Sequence, residues 1–163
     1  MTGPASDETA LRRRTDDLLL EVLDGSDPSE VRCEAALALA NSGRGSPQVL
    51  TALTEALQDP HEAVRRTATI ALGRTGDPGA AGPLLGILEG APELWEEAAA
   101  ALGDLGHPGV VEPLRELVRS ADDHRTRRGA IRALAALSNN PSQFRSESLP
   151  PVIVDRQGPH PLL

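Results

Sequence analysis

Apolar and polar positions along this chain recur with the period of an α-helix, in short bursts separated by Gly and Pro. Leu11, Leu18, Leu19, Val22 and Leu23 predict a first helix, capped by Ser6 or Asp7 and broken by Gly25-Ser26-Asp27-Pro28. Val31, Ala35, Ala38 and Leu39 stand at i, i+4, i+7 and i+8, which gives a second helix over about Ser29 to Asn41 one apolar face. Gly43 and Gly45 are expected to close it, because Gly adopts the left-handed conformation of a helix end without a Cβ penalty. The pattern then starts again. Val49, Leu50, Leu53, Ala56 and Leu57 predict a helix over Gln48 to Gln58. Asp59 is the expected N-cap of the next, Glu62 to Arg74, with Pro60 in its first turn. Two more pairs follow, Ala81–Glu89 with Leu94–Leu105 and Val111–Ser120 with about Arg125–Leu137. Pro83 and Pro113 fall early in their helices, where a missing N–H costs little.

The residues themselves repeat. The run Val64 to Gly76 has a counterpart 33 positions upstream, Val31 to Gly43. A third copy, Ala98 to Gly106, is offset by 30, and a degraded fourth, Ala130 to Leu137, by 32. Self-similarity at this period means a stack of small helical units. The expected organisation is a flexible N-terminus over 1–7, a repeat domain over 8–138 and a Pro-rich tail over 139–163. The units of the repeat domain run from about 8–45, 46–78, 79–108 and 109–138. In the tail, Pro141, Pro150, Pro151, Pro159 and Pro161 end any helical period. Its apolar island, Pro150-Pro151-Val152-Ile153-Val154, drapes back over the last unit as a cap, serves as a short binding motif, or has no role.

Asp59-Pro60-His61-Glu62-Ala63-Val64-Arg65, followed by Ala68, Ala71-Leu72-Gly73 and Gly76-Asp77-Pro78, resembles the HEAT-like repeat of the phycobilisome-lyase type. Leu84-Leu85-Gly86-Ile87-Leu88 is similar to the first helix of a further unit. The likeness covers about residues 15 to 138 and implies an all-α, right-handed α-solenoid of about four antiparallel helix pairs, with second helices lining the inner surface. It also implies a ladder between units, in which an Asp of the inter-helix turn meets an Arg of the second helix. Asp59 and Arg65 match both places, and Asp27 with Arg32 nearly does, one residue closer, whereas Gly90 and Trp95 replace the pair in the third unit. Some members of the group attach bilins, but a chain with one Trp, one Phe and no Tyr offers little to line a tetrapyrrole pocket.

Composition narrows the picture further. With so few aromatics the core must be built from Ala, Leu, Val and Ile, whose small side chains suit closely approaching helices. The net charge of −8 makes nucleic acid an improbable partner, since sequence-independent binding needs a cationic face. All 16 basic residues are Arg. Cys33 is the single cysteine, so no internal disulfide can form, which fits a reducing compartment. The start, Met1-Thr2-Gly3-Pro4, carries no signal-peptide pattern and no apolar run reaches membrane-spanning length, so the expectation is cytoplasmic, with no membrane partner.

No catalytic constellation is evident. His61, His107, His124 and His160 are scattered through turns and tail without metal-ligand spacing, and Cys33 lacks an activating neighbour. Neither a cofactor nor a metal is expected. A helical wheel with Val64, Ala68, Ala71 and Leu72 buried puts Arg66, Thr69, Ile70 and Gly73 on the open side, and the same register in the other second helices yields a stripe. Arg66, Ile70, Arg74, Trp95, Glu96, Arg128 and Arg132 are its candidate contacts for another protein or peptide. The expectation is therefore a non-enzymatic adaptor or scaffold that binds its partner on the concave face. The alternatives are an immunity-type inhibitor of a basic toxin enzyme and a regulatory or lyase-like accessory subunit of an enzyme complex. Oligomeric state stays open.

Overall fold

The computed structural model describes residues 4–42 and 46–139. Among them are eight α-helices and no strand: α1 (Pro4–Asp24), α2 (Ser29–Ser42), α3 (Pro47–Glu55), α4 (Glu62–Thr75), α5 (Ala81–Gly90), α6 (Trp95–Leu105), α7 (Val111–Ser120) and α8 (His124–Asn139). Three 3-10 turns, at Ala56–Gln58, Pro78–Ala80 and Pro108–Val110, extend α3 or lead into α5 and α7. Each odd-numbered helix packs on the even-numbered helix that follows it. The even-numbered helices form the backbone of the stack, α2 on α4, α4 on α6 and α6 on α8.

The chain reverses where its residues favour reversal. Gly76 (φ 65°) and Gly106 (φ 64°) end α4 and α6 in the left-handed region, which an L side chain enters at a cost. One residue on, Asp77 accepts the Gly79 N–H at 2.8 Å, and His107 does the same through Nδ1 for Gly109 at 3.1 Å. His107 thus occupies an Asp position. The expected role of Asp59 as an N-cap is corrected: α4 begins at Glu62 with His61 in the capping position, because the Asp59 carboxylate is engaged elsewhere. Likewise α1 already runs from Pro4, so Ser6 and Asp7 lie within it. Gly43, Gly45 and the tail from Asn140 lie outside the described residues.

Close approach explains the small residues. A Cβ on Gly73 would stand 2.6 Å from Ala101 Cα, and one on Gly103 would stand 2.5 Å from the Ala136 Cβ. Glycine at these two crossings lets α4, α6 and α8 pack near their backbones. The core between the layers is aliphatic: Leu39, Leu53, Leu72, Leu84, Leu88, Leu102 and Leu114 are fully buried. Val31, expected on the buried face, is 44% exposed, whereas its counterpart Val64 is fully buried. The difference is positional, since α4 has α2 before it and α2 has no even-numbered neighbour on that side.

Candidate functional site

Two groups of polar residues run along the stack. One lies at the turns. Arg32, on the first turn of α2, donates from Nε to Asp59 Oδ2 at 3.1 Å and from Nη2 to Asp59 Oδ1 at 2.8 Å. Its Nη1 donates to the Asp27 carbonyl, so Asp27 joins through its backbone and not through its carboxylate. The Asp59 carboxylate also takes the His61 N–H at 2.8 Å, and the His61 Nδ1 stands 3.2 Å from Arg32 Nη2. Burial raises the Asp59 pKa, but the His61 N–H and the Arg32 guanidinium outweigh that penalty and leave it below the ordinary carboxylate range.

Arg65 repeats the arrangement one unit on. Its Nη1 donates to the Asp59 carbonyl at 2.9 Å, and its Nη2 lies 4.0 Å from Glu93 Oε1. Gly90 holds the place where the resemblance implies an Asp, and Glu93 supplies the carboxylate from three residues further along. Arg127, which the sequence reading did not single out, is a third member: its Nη2 donates to the Ala121 carbonyl, six residues back, as Arg65 does to Asp59. Clefts of about 380 and 710 Å³ open beside the first two rungs, lined by Arg32, Glu55, Asp59 and His61 in one and by Arg65, Gly86, Gly90 and Glu93 in the other.

The second group is the outward stripe of the even-numbered helices. Trp95, at the start of α6, is half-buried beside Leu88 and Gly129, with the guanidinium carbons of Arg128 and Arg132 at 5.5 and 5.7 Å from its ring centroid. Arg132 Nη1 is also 3.6 Å from Glu96 Oε1. Arg66 joins α4 to α6 through Glu97 at 3.1 Å and holds Glu62 at 2.9 Å. Of the candidates, Trp95, Glu96, Arg128 and Arg132 therefore form one cluster, with the half-exposed Ile131 beside them in sequence. Arg66 reaches the same helix through Glu97, which the wheel did not flag. Ile70 and Arg74 take no part in these ion pairs. Thr69 and Gly73, placed on the open side by the wheel, are buried, as are Ala36 and Ala99. Each inner helix has two even-numbered neighbours, so two of its sides are covered and not one.

The described histidines do not converge, and among the described residues no group of three His, Cys, Asp or Glu side chains is placed to hold a metal ion. Cys33 is half-buried. Among the described residues no helix is long and apolar enough to cross a membrane.

Stacked helix pairs with an interlocked turn edge define a helical-repeat protein. The chain belongs to the HEAT-repeat family, whose pattern, described as HEAT repeats, matches residues 17–95 and 83–151. No curated protein matches it in sequence. A solved structure of human deoxyhypusine hydroxylase in complex with glycerol shares the fold, with a TM-score of 0.72 and 22% identity. That likeness covers 91% of this chain but 51% of the hydroxylase, so the chain spans about half the length of that structure. The match corrects the expectation of a non-enzymatic adaptor. That expectation was reasoned from the repeat stack, and an enzyme is built on the same stack.

Proposed function

We propose that the chain works in an enzyme system, as the regulatory or accessory HEAT-repeat subunit of an enzyme complex. In this reading the eight helices are four antiparallel units of a right-handed solenoid, with repeats of the phycobilisome-lyase type, acting in the cytoplasm. The stripe of Arg66, Ile70, Arg74, Trp95, Glu96, Arg128 and Arg132 is the face that meets the catalytic protein. The observation that carries the reading is the fold match: 91% of this chain corresponds to half of a hydroxylase. The cluster at Trp95 supports the choice of face, because a half-buried indole flanked by two Arg offers the amphipathic surface that binding hot spots favour.

The test is reconstitution. The chain is purified from its native cells with whatever enzyme accompanies it, and that enzyme's kcat/KM is measured after stripping the chain and after adding it back. Restoration by the intact chain, with loss of restoration for Ile131→Glu or Arg128→Glu, supports the reading. Turnover indifferent to the chain at saturating concentration overturns it.

A further inference from the structure

The crossing of α4 on α6 shows what joins one unit to the next. Arg66, Thr69 and Gly73 stand at i, i+3 and i+7 and so form one row of α4. Arg66 pairs with Glu97 at 3.1 Å and a Cβ on Gly73 would strike Ala101, so this row faces α6. Its answering row on α6 is Leu94, Glu97 and Ala101. By the repeat offsets of 33, 30 and 32 residues, the first row recurs on α8 as Arg128, Ile131 and Ala135, and the second on α2 as Val31, Glu34 and Ala38. Among the described residues neither of these rows meets a further even-numbered helix. Ile131 and Val31 are 50% and 44% exposed, whereas their counterparts Thr69 and Leu94 are buried. Arg128 lies over Trp95 and has no carboxylate partner among the described residues, and Glu34 has no basic one.

We propose that a second copy of this chain docks here, head to tail: α8 of one copy packs on α2 of the next in the register of α4 on α6, with Arg128 paired to Glu34 and Ile131 covered by the row of Val31 and Ala38. Charge complementarity selects this occupant. Helix α8 carries Arg125, Arg127, Arg128 and Arg132 with no Asp or Glu, while α2 offers Glu30 and Glu34 and its only Arg, Arg32, is already held by Asp59. Arg127, the counterpart of Arg65, has its Nε buried without a hydrogen-bond partner, and Glu30 is the counterpart of Glu93, which Arg65 faces. A two-fold pairing of α8 on α8 would instead set one basic helix against another. Packing agrees. Ala135 replaces the Gly of α4 and α6, but α2 has Ala40 at that position and buries it fully, so the crossing accommodates Ala. Repeat stacks stay soluble as single bodies when their end faces are polar, whereas here each end sets an apolar residue beside a charge that the other end complements. Such a contact is heterologous, so it extends the stack from copy to copy.

Sedimentation velocity of the purified full chain, over a range of concentrations, tests this. Association should grow with concentration and weaken with added salt, which screens exposed charges. Glu34→Arg and Arg128→Glu should each weaken it tenfold or more, with circular dichroism unchanged because both positions are exposed. Combining the two in one chain should restore association, since the charges are then exchanged between the ends. Val31→Glu spoils one end and Ile131→Glu the other. Neither variant should associate alone, but a mixture of them should give a species that stops at two copies, because one intact end of each remains. A chain that is monomeric at every concentration overturns the proposal. So does a dimer indifferent to Glu34→Arg and Val31→Glu, which would place the contact elsewhere. No enzyme is present in these measurements and Glu34 lies outside the stripe, so failure here leaves the reconstitution test untouched.

Discussion

Arg32 grips Asp59 edge-on across 27 residues of sequence, with both partners nearly out of solvent, side chains 8% and 11% exposed. The pair joins the start of α2 to the turn before α4, so it fastens neighbouring units at their edge while the aliphatic layers fasten them inside. Removing one partner strands the other, which in buried pairs costs about 3–5 kcal/mol. Asp59→Ala is expected to lower stability by that order, read from urea denaturation.

The same pair sets an acid sensitivity. Because the folded Asp59 pKa is depressed, its contribution to stability is fully present above the unfolded value of about 3.9 and is lost as pH falls through the lower folded value. Wild type should therefore lose stability over that acidic window more steeply than Asp59→Asn, which is weaker throughout but lacks this titration. Parallel pH profiles of the two denaturation midpoints would contradict the assignment.

Glycines in this chain do opposite things, and substitution separates them. Gly73→Ala drives a Cβ to 2.6 Å from the Ala101 backbone, so α4 and α6 must part, and a loss of about 2 kcal/mol is expected. Gly86→Ala, in the exposed middle of α5, meets nothing within 4 Å and should gain about 0.5–1 kcal/mol from helix propensity. Thermal melts of the two variants should move in opposite directions.

The buried face makes a harsher demand. Ala71 is fully buried against the layers on both sides, and Asp there would place a carboxylate without a partner. Ala71→Asp should abolish the cooperative melt, because in a repeat stack each unit is stabilised by its neighbours. A normal transition by circular dichroism would mean that the face is wrongly assigned.

Helix positions were legible because each helix carries its own period and its own stop: α7 begins and ends where Val111 and Ser120 place it, and Gly76 and Gly106 close helices as their φ freedom suggests. What could not be read was what the neighbours do. Thr69 and Gly73 look outward on an isolated wheel, yet both are buried, Gly73 against Ala101 of α6. Glu93 and Glu97 are ordinary surface acids until the stack brings Arg65 and Arg66 to them. Arg127 falls in register with Arg65 at twice the repeat period, a signal present in the sequence but masked by the Trp at the intervening position. The fold is local information, whereas the rungs and the stripe are relations between units.

Trp95 is the place where those relations are easiest to measure, since it is the only tryptophan and its fluorescence reports a single site. Its ring lies against Leu88 and Gly129 on one account and beneath two guanidinium groups on the other, so packing and charge both hold it. The two contributions differ in size. Trp95→Ala removes a half-buried indole and should cost about 2 kcal/mol, less than the 3–5 of a full core truncation. Arg128→Ala leaves the packing and removes one cation over the ring, worth about 0.5–1 kcal/mol at an exposed site. In an Arg128→Ala, Arg132→Ala double variant the fluorescence of Trp95 should shift red as water reaches the ring, while the melt stays cooperative. An unchanged spectrum would show that the two Arg do not shield the indole in solution.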